Sequence, residues 1–261
     1  MKPWYQSPDG TVQLFLGDCR EILPVVAPPS PNVLVLGDVP YGVKERTKRA
    51  TAGRGKPMGG KGSVFAAKNP SLIASRDWPS IVADDIAFDA SWLLGYPRLL
   101  LWGANHYLVP PSPSWIVWDK RDGGTADDNA DCEVAWTNLG GPIRRFGHTW
   151  RGVCRASERG EEHLHPTQKP EAFYRWLFAG RGRGKPIVNP GDLIVVPYAG
   201  SGPEIPPAME LGLSVIAIDV EEEYLETIVK HRIEPAIARG KQIDLWAPRE
   251  PAASQSTLFD L

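Results

Sequence analysis

Val33-Leu34-Val35-Leu36-Gly37-Asp38-Val39-Pro40-Tyr41-Gly42 decides how the rest of the chain is read. Four consecutive aliphatic residues form a continuous apolar run, the pattern of a strand buried on both faces of a parallel sheet. Gly37-Asp38 ends the run. Pro40 then imposes a bend, because it fixes its own φ and biases Val39 away from helical geometry. The same signature recurs along the chain. Leu14 to Leu16, Leu99 to Trp102, Trp115 to Trp118, Cys132 to Trp136, Leu193 to Val196 and Val215 to Ile218 are further strand candidates. Cys19 to Leu23 reads as a short helix stopped by Pro24, and Ala208 to Leu211 as a helix ended by Gly212. Glu222 to Arg232 reads as an amphipathic helix with Tyr224, Ile228 and His231 at helical spacing. Strands alternating with helices predict an α/β fold, a mostly parallel twisted sheet in three layers with right-handed crossovers. Ligands of such sheets sit beyond the carboxyl ends of the strands, and Asp18, Asp38, Gly200 and Asp219 all fall there.

At 261 residues and 42% apolar content, the chain is long enough for one large domain. A formal net charge of −2 argues against a wholesale polyanion binder, so contact with nucleic acid must rest on charge segregation. The cysteines, Cys19, Cys132 and Cys154, are odd in number and form no C-x-x-C pair. That predicts a reduced, cytoplasmic protein with no disulfide frame and no structural metal. The N-terminal residues do not read as a signal peptide, and no apolar run approaches the roughly 18 residues of a membrane span.

Positive charge is indeed segregated. Residues 44–61 hold Lys44, Arg46, Lys48, Arg49, Arg54, Lys56 and Lys61 against a single Glu, with glycines interleaved. This composition predicts a mobile basic loop over about 44–62, directly after Tyr41 and suited to closing on a phosphate backbone. A second basic stretch lies in a segment read as an insertion at about 138–162. There Arg144, Arg145, Arg151 and Arg155 are interleaved with His148 and Trp150, a mixture suited to phosphate contact and base-edge readout.

Two motifs carry the chemistry. Asp38, Val39, Pro40 and Tyr41 place a carboxylate, a carbonyl on a fixed bend and an aromatic ring side by side, which suits a flat base bearing an exocyclic amine. Far downstream, Tyr198-Ala199-Gly200-Ser201-Gly202 makes a glycine turn that permits close approach of a cofactor. Asp219, at the end of the next strand candidate, is placed to accept hydrogen bonds from ribose hydroxyls. The hexapeptide His165-Pro166-Thr167-Gln168-Lys169-Pro170 precedes the turn.

With the amine-holding motif before the glycine turn, the chain resembles the amino-directed DNA methyltransferases of the permuted beta type, known from bacteria and phages. The resemblance runs from about Leu14 to Arg232. It implies a Rossmann-like domain over 1–240 that binds S-adenosyl-L-methionine and methylates double-stranded DNA, as restriction-modification enzymes do. It also implies that Asp38 and Tyr41 hold an extruded base, and that Asp18 lies near the cofactor's adenine. Thr167 and Lys169 would line its methionine end, with Tyr198, Gly200, Ser201, Gly202 and Asp219 completing the cofactor site. An Asp at the first motif position favours adenine N6 over cytosine N4 as the target. Three departures stand out: Val39 replaces a proline, Val196 replaces a carboxylate near the cofactor's ammonium group, and Pro203-Glu204 replace two threonines. Pro206 and Pro207 then fall where the cofactor helix should begin, which predicts a later helix start. These departures also admit a degenerate member that binds DNA without turnover. A polar tail, 241–261, carries Gln255-Ser256-Thr257-Leu258-Phe259, which resembles peptides that dock into bacterial sliding clamps.

Overall fold

The computed structural model describes residues 1–44, 80–124, 130–151, 154–182 and 186–240. The chain runs through β1 (Tyr5–Gln6), β2 (Val12–Leu16), α1 (Cys19–Val26), β3 (Val33–Gly37), β4 (Leu99–Trp102) and β5 (Trp115–Asp119). It continues through β6 (Cys132–Thr137), β7 (Arg144–Gly147), β8 (Trp150–Arg151), β9 (Cys154–Arg155), α2 (Glu171–Phe178), β10 (Leu193–Val196) and α3 (Ile205–Glu210). Last come β11 (Ser214–Asp219), α4 (Glu222–Ile228), a π-helical turn (Val229–Ile233) and α5 (Glu234–Arg239).

One sheet of nine strands, in the order β1-β2-β11-β10-β3-β4-β6-β5-β7, organises the molecule. Strands β2, β11, β10, β3 and β4 are mutually parallel. β6 runs antiparallel to both β4 and β5, and β7 is parallel to β5. Side chains alternate between the two faces of the sheet. Leu34 and Leu36 of β3 pack with Phe173 and Leu177 of α2 and Ala208 of α3, whereas Val33 and Val35 pack with Ile22 and Leu23 of α1. Both faces of β3 are therefore closed, which is why its sequence is apolar without interruption. Each such side chain contributes roughly 1.5–3 kcal/mol by leaving water.

The helices depart from the sequence reading in instructive ways. Pro24 lies inside α1 instead of ending it. The carbonyl that loses its partner there belongs to Arg20, on an exposed turn where water can replace it. Pro206 and Pro207 sit in the first turn of α3, which starts at Ile205 and not later. First-turn residues have no intrahelical acceptor for their N–H, so proline costs little there. Arg144 to Gly147, read as part of an insertion, form β7 and extend the sheet, with Ile116 opposite Arg144. A basic edge strand lacks the apolar alternation that would have revealed it, and such charge discourages edge-to-edge pairing. The tail at 241–261 lies outside the described residues, as does most of the basic loop.

Candidate active site

Segments following β3, β4 and β10, with the end of β11, open on a single cavity of about 840 Å³. Asp38, Val39, Pro40 and Tyr41 line it together with Thr167, Lys169, Tyr198, Gly200, Ser201 and Asp219. The two motifs, some 160 residues apart in sequence, thus face one space.

Asp38 follows β3, and its Oδ1 accepts from Lys169 Nζ at 2.5 Å and from Tyr41 Oη at 3.1 Å. The Lys169 side chain is only 2% exposed and lies 3.5 Å from Glu133 Oε2; Glu133 is in turn ion-paired with Lys120. Charges alternate along the wall: Lys120, Glu133, Lys169, Asp38. Burial alone would strip the proton from Lys169, but Asp38 and Glu133 outweigh it and hold the ammonium above its ordinary value. Burial would likewise raise Glu133; Lys169 and Lys120 overcome this and keep it low. Asp38 is raised by burial, with Lys169 and Tyr41 pulling the other way. Lys169, expected at the cofactor's methionine end, is paired with Asp38. Glu133 and Lys120 escape a sequence reading, because each is an ordinary charged residue in or beside a strand.

The Tyr41 ring stacks on His106, with centroids 5.4 Å apart and planes 14° from parallel. It lies across Gly103, where a Cβ would fall 2.1 Å from a ring carbon and φ is +68°. Only glycine leaves the ring where it is. Gly103 and His106 follow β4, and nothing in their local sequence announces this role.

At the glycine turn, Gly200 N–H donates to Asp219 Oδ2 at 2.8 Å and Glu221 N–H donates to Oδ1 at 3.0 Å. Burial raises the Asp219 carboxyl in spite of these bonds. Asp219 so holds the turn while bordering the cavity. Thr167 Oγ1 lies 3.1 Å from His165 Nδ1, and burial beside Lys169 pushes His165 down to about 4, leaving it neutral at pH 7. Gly202 does not border the cavity. A Cβ there would meet Ile205 at 2.9 Å and Ile228 at 3.0 Å, so this glycine serves helix packing. Asp18 does not border it either. It caps α1, accepting from Arg20 N–H at 2.8 Å, and pairs with the Arg20 guanidinium at 2.7 Å. Val196 is fully buried in the core, which leaves no room for a ligand at that position.

The unexpected member is Glu204. It borders the cavity, is 3% exposed, and its Oε2 has no hydrogen-bond partner among the described residues. Burial pushes its carboxyl up to about 8.

Of the residues expected at DNA, Lys44 is exposed, and Arg46, Lys48, Arg49, Arg54 and Lys56 lie outside the described residues. Arg145 is ion-paired with Asp119 at 2.7 Å and Asp122 at 3.1 Å. Arg144 and Arg145 stand on β7, away from the cavity lining, and Arg151 is in β8. Among the described residues no group of three His, Cys, Asp or Glu could hold a metal ion, and no helix is long and apolar enough to cross a membrane.

No family model matches the chain. Two bacterial proteins are similar to parts of it. The type II methyltransferase M.HpaI of Haemophilus parainfluenzae is 37% identical over 87 residues, covering 33% of this chain. The DNA adenine methyltransferase YhdJ of Escherichia coli strain K12 is 35% identical over 66 residues, covering 25% of this chain. These matches span 26% and 20% of the two relatives' own lengths. Among solved structures, the PvuII DNA methyltransferase (cytosine-N4-specific) overlays with a TM-score of 0.50 at 14% identity, covering 94% of this chain and 98% of that one. At that identity the likeness is one of fold.

Proposed function

We propose that the chain is an amino-directed DNA methyltransferase that methylates the exocyclic N6 of adenine in double-stranded DNA, using S-adenosyl-L-methionine. The observation that carries the reading is the shared cavity, which the Asp38–Tyr41 bend and the Gly200–Asp219 turn both border.

The residues present fit the cofactor. The cavity is of ligand size, Gly200 borders it without a side chain, and a buried carboxyl oxygen of Glu204 lacks a partner among the described residues. Tyr198, Gly200, Ser201, Asp219 and Thr167 would hold it. When bound, it supplies a sulfonium methyl whose C–S bond breaks as the N–C bond forms, the sulfur keeping the bonding pair.

An exocyclic amine is a poor nucleophile while its lone pair is delocalised into the ring. Asp38 accepts one amine hydrogen and the Val39 carbonyl the other, so that the nitrogen can pyramidalise. The lysine beside Asp38 opposes its protonation, and the carboxylate takes up the proton released on transfer, before passing it to solvent. Such a base is reached only after leaving the duplex, and Tyr41 offers a ring at the cavity wall. The basic segment at 44–62 supplies phosphate contacts. The Asp at position 38 supports adenine over cytosine as the substrate.

Incubating the protein with unmethylated genomic DNA and the cofactor, then mapping modified bases by long-read sequencing, tests the reading. N6-methyladenine at one recurrent sequence is the expected result. N4-methylcytosine would transfer the proposal to the other amine. Binding of cofactor and DNA without any modified base would identify a degenerate member.

A further inference from the structure

Asp38, Glu133, Asp219, Asp84 and Glu204 border the cavity, and the first four are met from within the protein. Asp38 has Lys169 and Tyr41, and Glu133 has Lys120 and Lys169. Asp219 has the N–H groups of Gly200 and Glu221, and Asp84 has the N–H of Gly42. Glu204 differs: its Oε2 is buried and, among the described residues, unmet. The groups that face it are Asp38 beyond β3, Lys169 ahead of α2, Tyr174 of α2 and Arg232 of the π-helical turn. The cations among them are committed elsewhere. Arg232 gives Nη1 to Glu171 Oε1 at 2.6 Å and Nε to the Ser201 carbonyl at 3.1 Å, and its remaining Nη2 has no partner, so it does not reach Glu204. A buried polar atom without a partner is costly, and a protein tolerates it where a ligand completes the set.

We propose that the Glu204 carboxylate receives the ammonium group at the methionine end of the cofactor. This rests on the reading of the Gly200 turn as the cofactor site and names the residue that binds its positive end. Among the charged groups of S-adenosyl-L-methionine, only the ammonium offers N–H donors to an unmet acceptor. The sulfonium has none, and the carboxylate is itself an acceptor. Glu204 is neutral at pH 7 in the free protein, since burial raises its carboxyl to about 8. An ammonium beside it favours the ionised form, so binding expels a proton from Glu204 to solvent.

The test is calorimetric titration of the full chain with S-adenosyl-L-methionine, in buffers of different ionisation enthalpy, between about pH 6 and 7.5. Expected are release of close to one proton per cofactor bound and affinity rising about tenfold per pH unit. Glu204→Gln should bind about ten- to a hundredfold more weakly, the scale of a charge-assisted hydrogen bond, and lose the proton release. An analogue lacking the amino group should bind the native chain and the variant alike. If the native chain binds the cofactor without releasing a proton, or the variant binds it equally well, Glu204 is not the acceptor, though the cofactor reading stands. Equal binding with affinity falling above pH 8 would show a protonated Glu204 donating to the cofactor's carboxylate instead. If the native chain, folded and with DNA present, binds no cofactor at all, the function proposed above fails and this assignment with it.

Discussion

On the Asp38 side of the cavity the acids and bases form a closed chain, Lys120–Glu133–Lys169–Asp38, each neutralising the next. On the turn side Asp219 is satisfied by two backbone N–H groups, while Glu204 is left buried with an oxygen unmet among the described residues. The first arrangement holds its shape before anything binds, because moving one side chain would strand a buried charge. The second is completed only when a ligand brings donors. The Asp38 side is thus preorganised to accept hydrogen bonds, and the turn side stores an incomplete one.

Asp38→Ala breaks the comparison most severely. It removes the acceptor for the amine while leaving Lys169 paired with Glu133. Methyl transfer should fall by about 10²–10³-fold, the scale for losing one preorganised partner to developing charge. Thermal stability should fall, because buried Lys169 loses its nearer partner, while cofactor affinity should hold. A tritiated-methyl assay under single-turnover conditions reads the rate, and a near-native value would put the reacting amine elsewhere.

Lys169→Met should lower the rate less, about ten- to a hundredfold, because Asp38 remains. Its distinguishing mark is the pH profile. Asp38 must be ionised to accept, burial already raises it, and Lys169 is the main influence holding it down. Without the ammonium the carboxyl rises further, so the acid limb of the rate profile should move to higher pH. Lys169→Arg keeps the charge and should leave the limb in place. A rate loss with an unmoved limb in Lys169→Met would reduce the lysine to a packing role.

The sequence made the sheet legible because its central strands are apolar without interruption, as in Val33 to Leu36 and Leu193 to Val196. The order of the two motifs was legible too, since each contains a residue with a backbone effect, Pro40 or Gly200. What stayed hidden depends on neighbours distant in the chain. Lys169 reaches Asp38 across 131 residues, and Gly103 matters only because the Tyr41 ring lies over it. Asp18 shows the reverse. Its position beyond a strand suited a ligand site, but the short step to α1 turned the carboxylate into a helix cap. Val196→Asp, which the resemblance commends as a restored acceptor, would place a carboxylate in a fully buried core position and should destabilise the fold.

Glu204→Gln sharpens the comparison without any ligand. A carboxyl at about 8 in the folded chain and near 4.5 when unfolded binds its proton more tightly in the fold. Stability therefore falls as pH rises from about 4.5 to 8, by at most about 1.4 kcal/mol per unit, and levels off above that. Asp38, Asp219 and Glu158 are also raised, so the native slope has several sources. The difference between native and variant isolates Glu204. Denaturant melts at pH 5.5 and 7.5 should show a smaller loss in the variant. Parallel losses would mean that Glu204 is hydrated in solution and not a stored incomplete bond.

Arg145→Ala should do least, and it tests whether the basic edge belongs to the site at all. The guanidinium is 57% exposed and divided between Asp119 and Asp122, so solvent screens the pairs and they add little to stability. DNA must compete with two carboxylates for this charge. An affinity change of less than about threefold is expected, with little effect on the slope of log affinity against log salt. Simultaneous neutralisation of Arg54, Lys56 and Lys61, which have the sequence setting of a phosphate-binding loop, should flatten that slope by about 2–3, since each phosphate contact contributes close to 0.9. If Arg145→Ala alone lowers the slope by about 1, DNA draws the arginine away from its acids, and β7 joins the DNA-contacting surface.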